Sequence, residues 1–187
     1  MTMNDHFCNT RRRLLKAGMA LTLTGLGARP AFALVKPINT GVRELDFYNL
    51  HTGESLKTAY WEKGEYVPEA LTDINHILRD YRNNEILPIE PRLLDLLHQL
   101  RLKLYTTQPI QIISGYRSPA SNALLAAHSD GVAKSSLHMQ GMAADIHIES
   151  ISLAHLHRAA LELQGGGVGY YPSSTFVLVD VGRMRTW

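Results

Sequence analysis

The sequence predicts an α+β fold in which helices flank a mostly antiparallel sheet. Two β-rich runs, residues 43–50 and 55–61, enclose the turn HTGE, which is typical of a hairpin. Further along the chain, helical and strand-like segments are interleaved, but no strand and helix repeat as a βαβ unit. This order indicates a sheet that is not built from parallel crossovers.

The flanking helices follow from apolar spacing. Residues 68–82 and 91–105 repeat apolar side chains at helical intervals, and both begin with proline, which suits the first position of a helix. Residues 152–164 form a third helix capped by Ser152. A shorter helix or turn is predicted at residues 118–128.

The second half of the chain supplies the remaining strands. PIQIISG (residues 109–115) and GMAADIHI (141–148) are predicted to be strands. GGGVGYYPSS (165–174) is interpreted as a glycine-rich turn that leads into the last strand, TFVLVDVG (175–182). The glycine run is not a phosphate loop, because it lacks a lysine and precedes a strand where a dinucleotide loop precedes a helix.

Residues 1–33 are predicted to be an export signal. TRRRLLK is followed by a short apolar run and by AFA at residues 31–33, a small-residue cleavage site. The apolar run is shorter than the ~20 residues that span a bilayer. The adjacent Arg11 and Arg12 indicate the twin-arginine pathway and a periplasmic location. A disordered basic tail is the alternative.

Residues 34–187 remain after cleavage and are predicted to be one domain. The single cysteine, Cys8, is lost with the signal, so the mature domain forms no disulfide and offers no thiolate. Loss of five basic residues and one acidic residue changes the formal charge from +2 to −2. A domain of this charge is not expected to bind nucleic acid.

The candidate site begins at SGYRS, residues 114–118, where a strand ends. Arg117 at this position can hold a carboxylate through two parallel hydrogen bonds. We assign Ser114, Tyr116 and Arg117 to substrate binding. A surface arginine in a turn is the alternative.

SSLHMQGMAADIHI contributes His138 in a loop and Asp145 in the strand that follows. Gly141 allows the tight backbone that brings the two side chains together. His147 shares the strand face of Asp145, because side chains alternate along a strand. A metal is one suitable partner for a buried aspartate beside a histidine, and a metal-free Asp–His hydrogen bond is the alternative.

These segments together resemble the D-Ala-D-Ala carboxypeptidase and hedgehog-like zinc peptidases, and most closely the exported murein endopeptidase K group. The resemblance rests on YNLHTGES, LRDYR, ISGYRS, SLHMQGMAADIHI, GGVGYYPSSTFV and Trp187. It implies a Zn²⁺ cofactor with His138 and Asp145 as two ligands. It also implies that Arg117 is a catalytic residue that holds a substrate carboxylate or the developing oxyanion. The implied activity is hydrolysis of peptidoglycan peptides, with zinc polarising water and the scissile carbonyl.

The chain departs from this family at the third zinc ligand. The family's last strand carries a histidine where this chain has Leu178, and leucine has no lone pair to donate. His147 is the possible substitute ligand. Asp180 lies roughly 6.5–7 Å further along the strand, which is too far to replace the missing ligand, and it is instead the candidate general base.

Two functions follow from this departure. One is a zinc-dependent murein peptidase that Leu178 impairs. The other is a catalytically degenerate module that keeps Arg117 and binds peptidoglycan peptides without cutting them.

Overall fold

The computed structural model of the protein describes residues 41–128 and 135–187. The export signal predicted at residues 1–33 lies outside the described residues. No helix within the described ranges is long and apolar enough to cross a bilayer.

Within those ranges, eight strands form one sheet. The strands are Arg43–Asn49 (β1), Ser55–Glu62 (β2), Glu65–Tyr66 (β3), Ile110–Ser114 (β4), Ala143–Ile148 (β5), Gly167–Tyr171 (β6), Phe176–Asp180 (β7) and Arg185–Thr186 (β8). Their order across the sheet is β3-β2-β1-β4-β5-β7-β6-β8. The β1–β4 and β6–β8 pairs are parallel, and the other five are antiparallel. The predicted mostly antiparallel sheet and its first hairpin are confirmed.

Four α-helices flank this sheet in the described part of the chain, which confirms the α+β class. They are Pro68–Ile77 (α1), Pro91–Lys103 (α2), Pro119–His128 (α3) and Leu153–Leu163 (α4). Helix α2 buries its leucines, and it contacts both β1 and α4. The Ser152 side chain accepts a hydrogen bond from the backbone of His155, as predicted for the cap of α4.

Helix α1 ends at Ile77 and not at residue 82 as its apolar spacing predicts. Beyond Ile77, the Asp80 backbone N–H donates to the Glu85 carbonyl at 2.9 Å. The Asp80 carboxylate accepts from the Arg82 N–H at 3.1 Å. An aspartate that binds nearby backbone groups competes with helical hydrogen bonding and ends the helix.

The glycine-rich segment predicted as a turn instead contains strand β6, and β7 is followed by β8, so TFVLVDVG is not the last strand. Gly167 donates its backbone N–H to the Asp180 carboxylate at 3.0 Å. A Cβ at Gly167 would collide with that carboxylate and with the Arg185 guanidinium. The glycine permits a close approach between strand backbone and side chains.

The sheet presents two different faces along β5 and β7. Ala144, Ile146 and Ile148 of β5 point into the hydrophobic core, together with Val177 and Val179 of β7. The intervening residues point away from the core because side chains alternate along a strand. This second face carries the candidate site.

Candidate active site

Four paired residues form a row across the second face of the sheet. Ser114 of β4 is opposite Asp145 of β5, Asp145 is opposite Leu178 of β7, and Leu178 is opposite Gly169 of β6. Directly paired residues of antiparallel strands project from the same face. Asp145 and Leu178 therefore lie side by side on adjacent strands.

A cavity of about 680 Å³ opens above this row. His138, Asp145 and Arg117 line it at one end, and Leu178 forms part of its wall. The 3₁₀ turn Leu137–Gln140 delivers His138 and ends at Gly141, which has a φ of +66°. A Cβ at Gly141 would lie 2.6 Å from the Pro88 carbonyl oxygen, so glycine is required at this turn.

His138 and Asp145 face each other through unpaired atoms. The Nδ1 of His138 lies 2.8 Å from the Gly115 carbonyl oxygen. Because a carbonyl only accepts, Nδ1 carries the proton and Nε2 keeps its lone pair when the ring is neutral. Nε2 lies 3.4 Å from Asp145 Oδ1. Both atoms are buried, and neither has a hydrogen-bond partner among the residues that the structure describes.

This pair fits two positions of a zinc centre. Zinc holds nitrogen and oxygen donors at about 2.0–2.2 Å in a tetrahedron, which places two donors about 3.4 Å apart. Catalytic zinc sites usually have three protein ligands. Among the residues that the structure describes, no three His, Cys, Asp or Glu side chains are grouped to hold a metal. The residues present do not supply the third donor at the position opposite Asp145, because that position holds Leu178, whose side chain has no lone pair.

Arg117 is the cationic group of the site. Its Nη2 lies 3.6 Å from Asp145 Oδ2, and its side chain is 12% exposed. Burial lowers the pKa of the guanidinium, and the negative charge of Asp145 opposes that change. Arg117 Nε is buried without a hydrogen-bond partner in the structure. The Nη2 group, 3.6 Å from Asp145 Oδ2, is beyond hydrogen-bond distance of that carboxylate and is the donor that a ligand anion could engage.

The backbone around Arg117 is held by hydrogen bonds at three successive residues. The Tyr116 N–H donates to the Leu78 carbonyl at 2.7 Å, and the Arg117 N–H donates to the His138 carbonyl at 3.1 Å. The Ser118 N–H donates to Asp80 Oδ2 at 2.9 Å. The fully buried Asp80 thus joins the end of α1 to the arginine loop, a role that the sequence analysis missed.

We expect Asp80→Asn to destabilise the protein by about 1–3 kcal/mol. The asparagine NH₂ group cannot accept a hydrogen bond, so one of the backbone N–H groups that the Asp80 carboxylate binds is left without an acceptor. Burial by itself raises the Asp80 pKa, but hydrogen bonds from Ser121, Ser118 and Arg82 outweigh it, so the pKa is lowered. This stabilisation is present above the unfolded pKa of about 3.9 and is lost as the pH falls through the lower folded value. Urea unfolding at pH 6 and pH 3 should show the difference shrinking in acid. The exposed Asp73→Asn is the matched control.

Asp180 does not have the environment of a general base, although it lines the cavity. Its Oδ2 accepts from Arg185 Nη2 at 2.6 Å. Its Oδ1 accepts from the backbone N–H groups of Gly167 and Gly182 at 3.0 and 2.8 Å. The carboxylate is fully buried. This environment does not favour Asp180 as the general base, because its oxygens hold β8 and the turn before it.

Three other candidates lie apart from the cavity. His147 shares the strand face of Asp145, as predicted, but it does not line the cavity. It is paired with Gln111 of β4, on the side of β5 away from Leu178. The geometry does not support His147 as a substitute ligand. Ser114 and Tyr116 are both buried and do not line the cavity. Of the residues assigned to substrate binding, Arg117 alone faces it.

An aromatic wall closes the other end of the cavity. It consists of Tyr171, Phe176 and Trp187, none of which the sequence analysis placed in the site. Tyr171 and Phe176 stack with their ring centroids 4.6 Å apart. The sequence signal that could have indicated this wall was Gly169 within GVGYY, because a glycine inside a strand often marks a close approach by another group.

Comparisons with known proteins show the family to which the chain belongs. The Peptidase M15_2 family, described as Peptidoglycan L,D-endopeptidase MepK, matches residues 38–187. The chain is 45% identical to peptidoglycan L,D-endopeptidase MepK of Escherichia coli K12 over 183 residues, 98% of this chain and 100% of the relative. It is 35% identical to the probable peptidoglycan L,D-endopeptidase MepK of Haemophilus influenzae, over 96% of this chain and 95% of the relative.

Among solved structures, the Serratia marcescens L-Ala D-Glu endopeptidase ChiX matches with a TM-score of 0.33 at 18% identity, over 41% of this chain and 62% of that chain. That likeness is too slight to support a conclusion.

Proposed function

Because this chain belongs to the peptidoglycan L,D-endopeptidase MepK family, we propose that its cavity binds peptidoglycan peptides with Arg117 as the carboxylate-binding residue. Membership makes the chain a metallopeptidase-type hydrolase that acts on peptidoglycan. The finer proposal concerns which residues bind the peptide and how well this chain cuts it.

The observation that carries the proposal is the buried cation at one end of the cavity. Arg117 is 12% exposed, and Asp145 neutralises it only at 3.6 Å, beyond a close ion pair. A peptide carboxylate can form the shorter, charge-assisted hydrogen bonds that this guanidinium lacks. Peptidoglycan peptides carry such free carboxylates.

We expect weak hydrolysis by this chain, because His138 and Asp145 supply two of the three protein donors of a catalytic zinc centre. The alternative function, a module that binds peptides without cutting them, is favoured by the same observation: Leu178 stands opposite Asp145. Peptide binding is common to both functions, and the rate of hydrolysis separates them.

Equilibrium binding of a peptidoglycan stem tetrapeptide tests the proposal. Arg117→Ala should weaken binding roughly 10- to 150-fold, because a hydrogen bond to a charged group contributes about 1.5–3 kcal/mol. Arg117→Lys should lie between, because lysine keeps the charge but not the paired donors. Arg158→Ala, an exposed arginine on α4, is the control. Wild-type affinity in Arg117→Ala would show that the peptide binds elsewhere.

The export route belongs to this proposal as well. Residues 1–33 act as a twin-arginine signal that delivers the chain to the periplasm. Replacing both Arg11 and Arg12 by lysine should retain the precursor in the cytoplasm, because the receptor reads the arginine pair. Cell fractionation and immunoblotting check this result. Normal cleavage after Ala33 in the double variant would contradict the assignment.

A further inference from the structure

We infer that Trp187 sets the length of peptide that the cavity prefers, by offering its indole face as a subsite about 10 Å from Asp145. The inference rests on the proposed function, because it concerns the same ligand. It assigns a role in substrate specificity to the aromatic wall, which takes no part in binding zinc or the peptide carboxylate.

Trp187 takes the side-chain position that Gly169 leaves empty. A Cβ on Gly169 would lie 2.8 Å from Cε2 and Nε1 of the indole and 2.8 Å from Cε2 of Tyr171. Gly169 is opposite Leu178, which is opposite Asp145. The indole therefore continues the row of paired residues that starts at the end of the cavity lined by His138, Asp145 and Arg117.

The indole is held in place from several directions. Its Nε1–H donates to the Tyr171 hydroxyl at 2.6 Å. The Arg185 guanidinium carbon lies 4.8 Å from the ring centroid, and the Tyr170 N–H donates to the Trp187 carbonyl at 3.0 Å. Trp187 nevertheless remains 46% exposed and lines the cavity.

A fixed aromatic ring whose polar N–H is already satisfied is an apolar contact surface. Little side-chain entropy is lost when a ligand packs on such a ring, because its rotamer is already set. Trp187 therefore suits the aliphatic part of a peptide residue, whereas Arg117 at the opposite end suits a carboxylate.

The spacing between the two ends selects a peptide length. Asp145 and Gly169 are two strands apart, which is about 10 Å at about 4.8 Å per strand. A dipeptide spans at most about 7 Å, and a tetrapeptide at most about 14 Å. A peptide whose carboxylate lies at Arg117 reaches Trp187 only with its third or fourth residue.

Binding of dipeptide and tetrapeptide fragments of a peptidoglycan stem tests the inference. Trp187→Ala should weaken tetrapeptide binding roughly tenfold, the ratio that corresponds to ~1.4 kcal/mol, while dipeptide affinity stays within about twofold. Trp187→Phe should restore most of the tetrapeptide affinity, because a ring remains. Unchanged tetrapeptide binding, or equal losses for both peptides, would overturn the inference.

Gly169→Ala provides an independent variant that retains every residue lining the cavity. Gly169 has no left-handed φ, so alanine strains no backbone, but its Cβ displaces the indole. It should repeat the selective tetrapeptide loss, with thermal unfolding confirming that both variants fold. If Arg117→Ala loses both peptides while the Trp187 and Gly169 variants lose neither, the inference fails and the proposed function stands. If Arg117→Ala loses neither, the proposed function fails.

Discussion

Leu178→His is expected to raise hydrolysis of peptidoglycan peptides by roughly 100-fold or more, since even residues that only support metal ligands contribute about 10- to 100-fold. Leu178 is directly opposite Asp145, and the unpaired Nε2 of His138 faces the same carboxylate at 3.4 Å. An imidazole at position 178 therefore supplies the donor that the site lacks. Release of peptide from purified peptidoglycan, followed by chromatography, measures the rate.

Two variants make this result specific. Leu178→Ala removes the apolar side chain without adding a donor, so it should leave hydrolysis near the wild-type rate. In the Leu178→His background, Asp145→Asn should remove the gain, because it weakens a second donor. Equal rates for wild type and Leu178→His would show that Leu178 is not in the ligand position.

Arg185→Ala is expected to destabilise the protein by about 3 kcal/mol, because it leaves the buried Asp180 carboxylate without its counter-ion. Asp180 is fully buried, and Arg185 contacts both of its oxygens, at 2.6 and 3.2 Å. The value is set at the low end for a buried pair because the Arg185 side chain is 34% exposed. Urea unfolding monitored by circular dichroism measures the loss.

Arg183→Ala, the neighbouring exposed arginine, is the control for this measurement and should change stability by less than about 0.5 kcal/mol. Adding Asp180→Asn to Arg185→Ala should recover part of the loss, because a buried amide costs less than a buried charge. A loss below about 0.5 kcal/mol in Arg185→Ala would mean that the backbone donors alone satisfy Asp180.

The fold class was predictable because local signals agreed with the final packing. Proline at the first turn and regular apolar spacing placed α2, and Ser152 placed the start of α4. The end of α1 was not predictable from spacing, because the Asp80 carboxylate binds the backbone of Arg82 and also that of Ser118, which is distant in sequence. Tertiary hydrogen bonds of this kind leave no periodic signal.

The site was predictable where neighbours in sequence are also neighbours in space. His138 and Asp145 come together through one short turn and one strand. The ion pair of Asp180 with Arg185 was not predictable, because Arg185 lies in a two-residue strand that is too short to show a pattern. The aromatic wall was missed because Trp187 fills a space that belongs to Gly169 of another strand.

The zinc affinity of the wild-type chain tests the central claim most directly. Competition with a chelator of known affinity, at fixed pH, should give a value at least roughly tenfold weaker for wild type than for Leu178→His, because zinc requires the third donor. Metal analysis of dialysed protein should then find zinc retained only by the histidine variant. Equal affinities, with stoichiometric zinc in the dialysed wild-type protein, would contradict the assignment of Leu178 to the third ligand position.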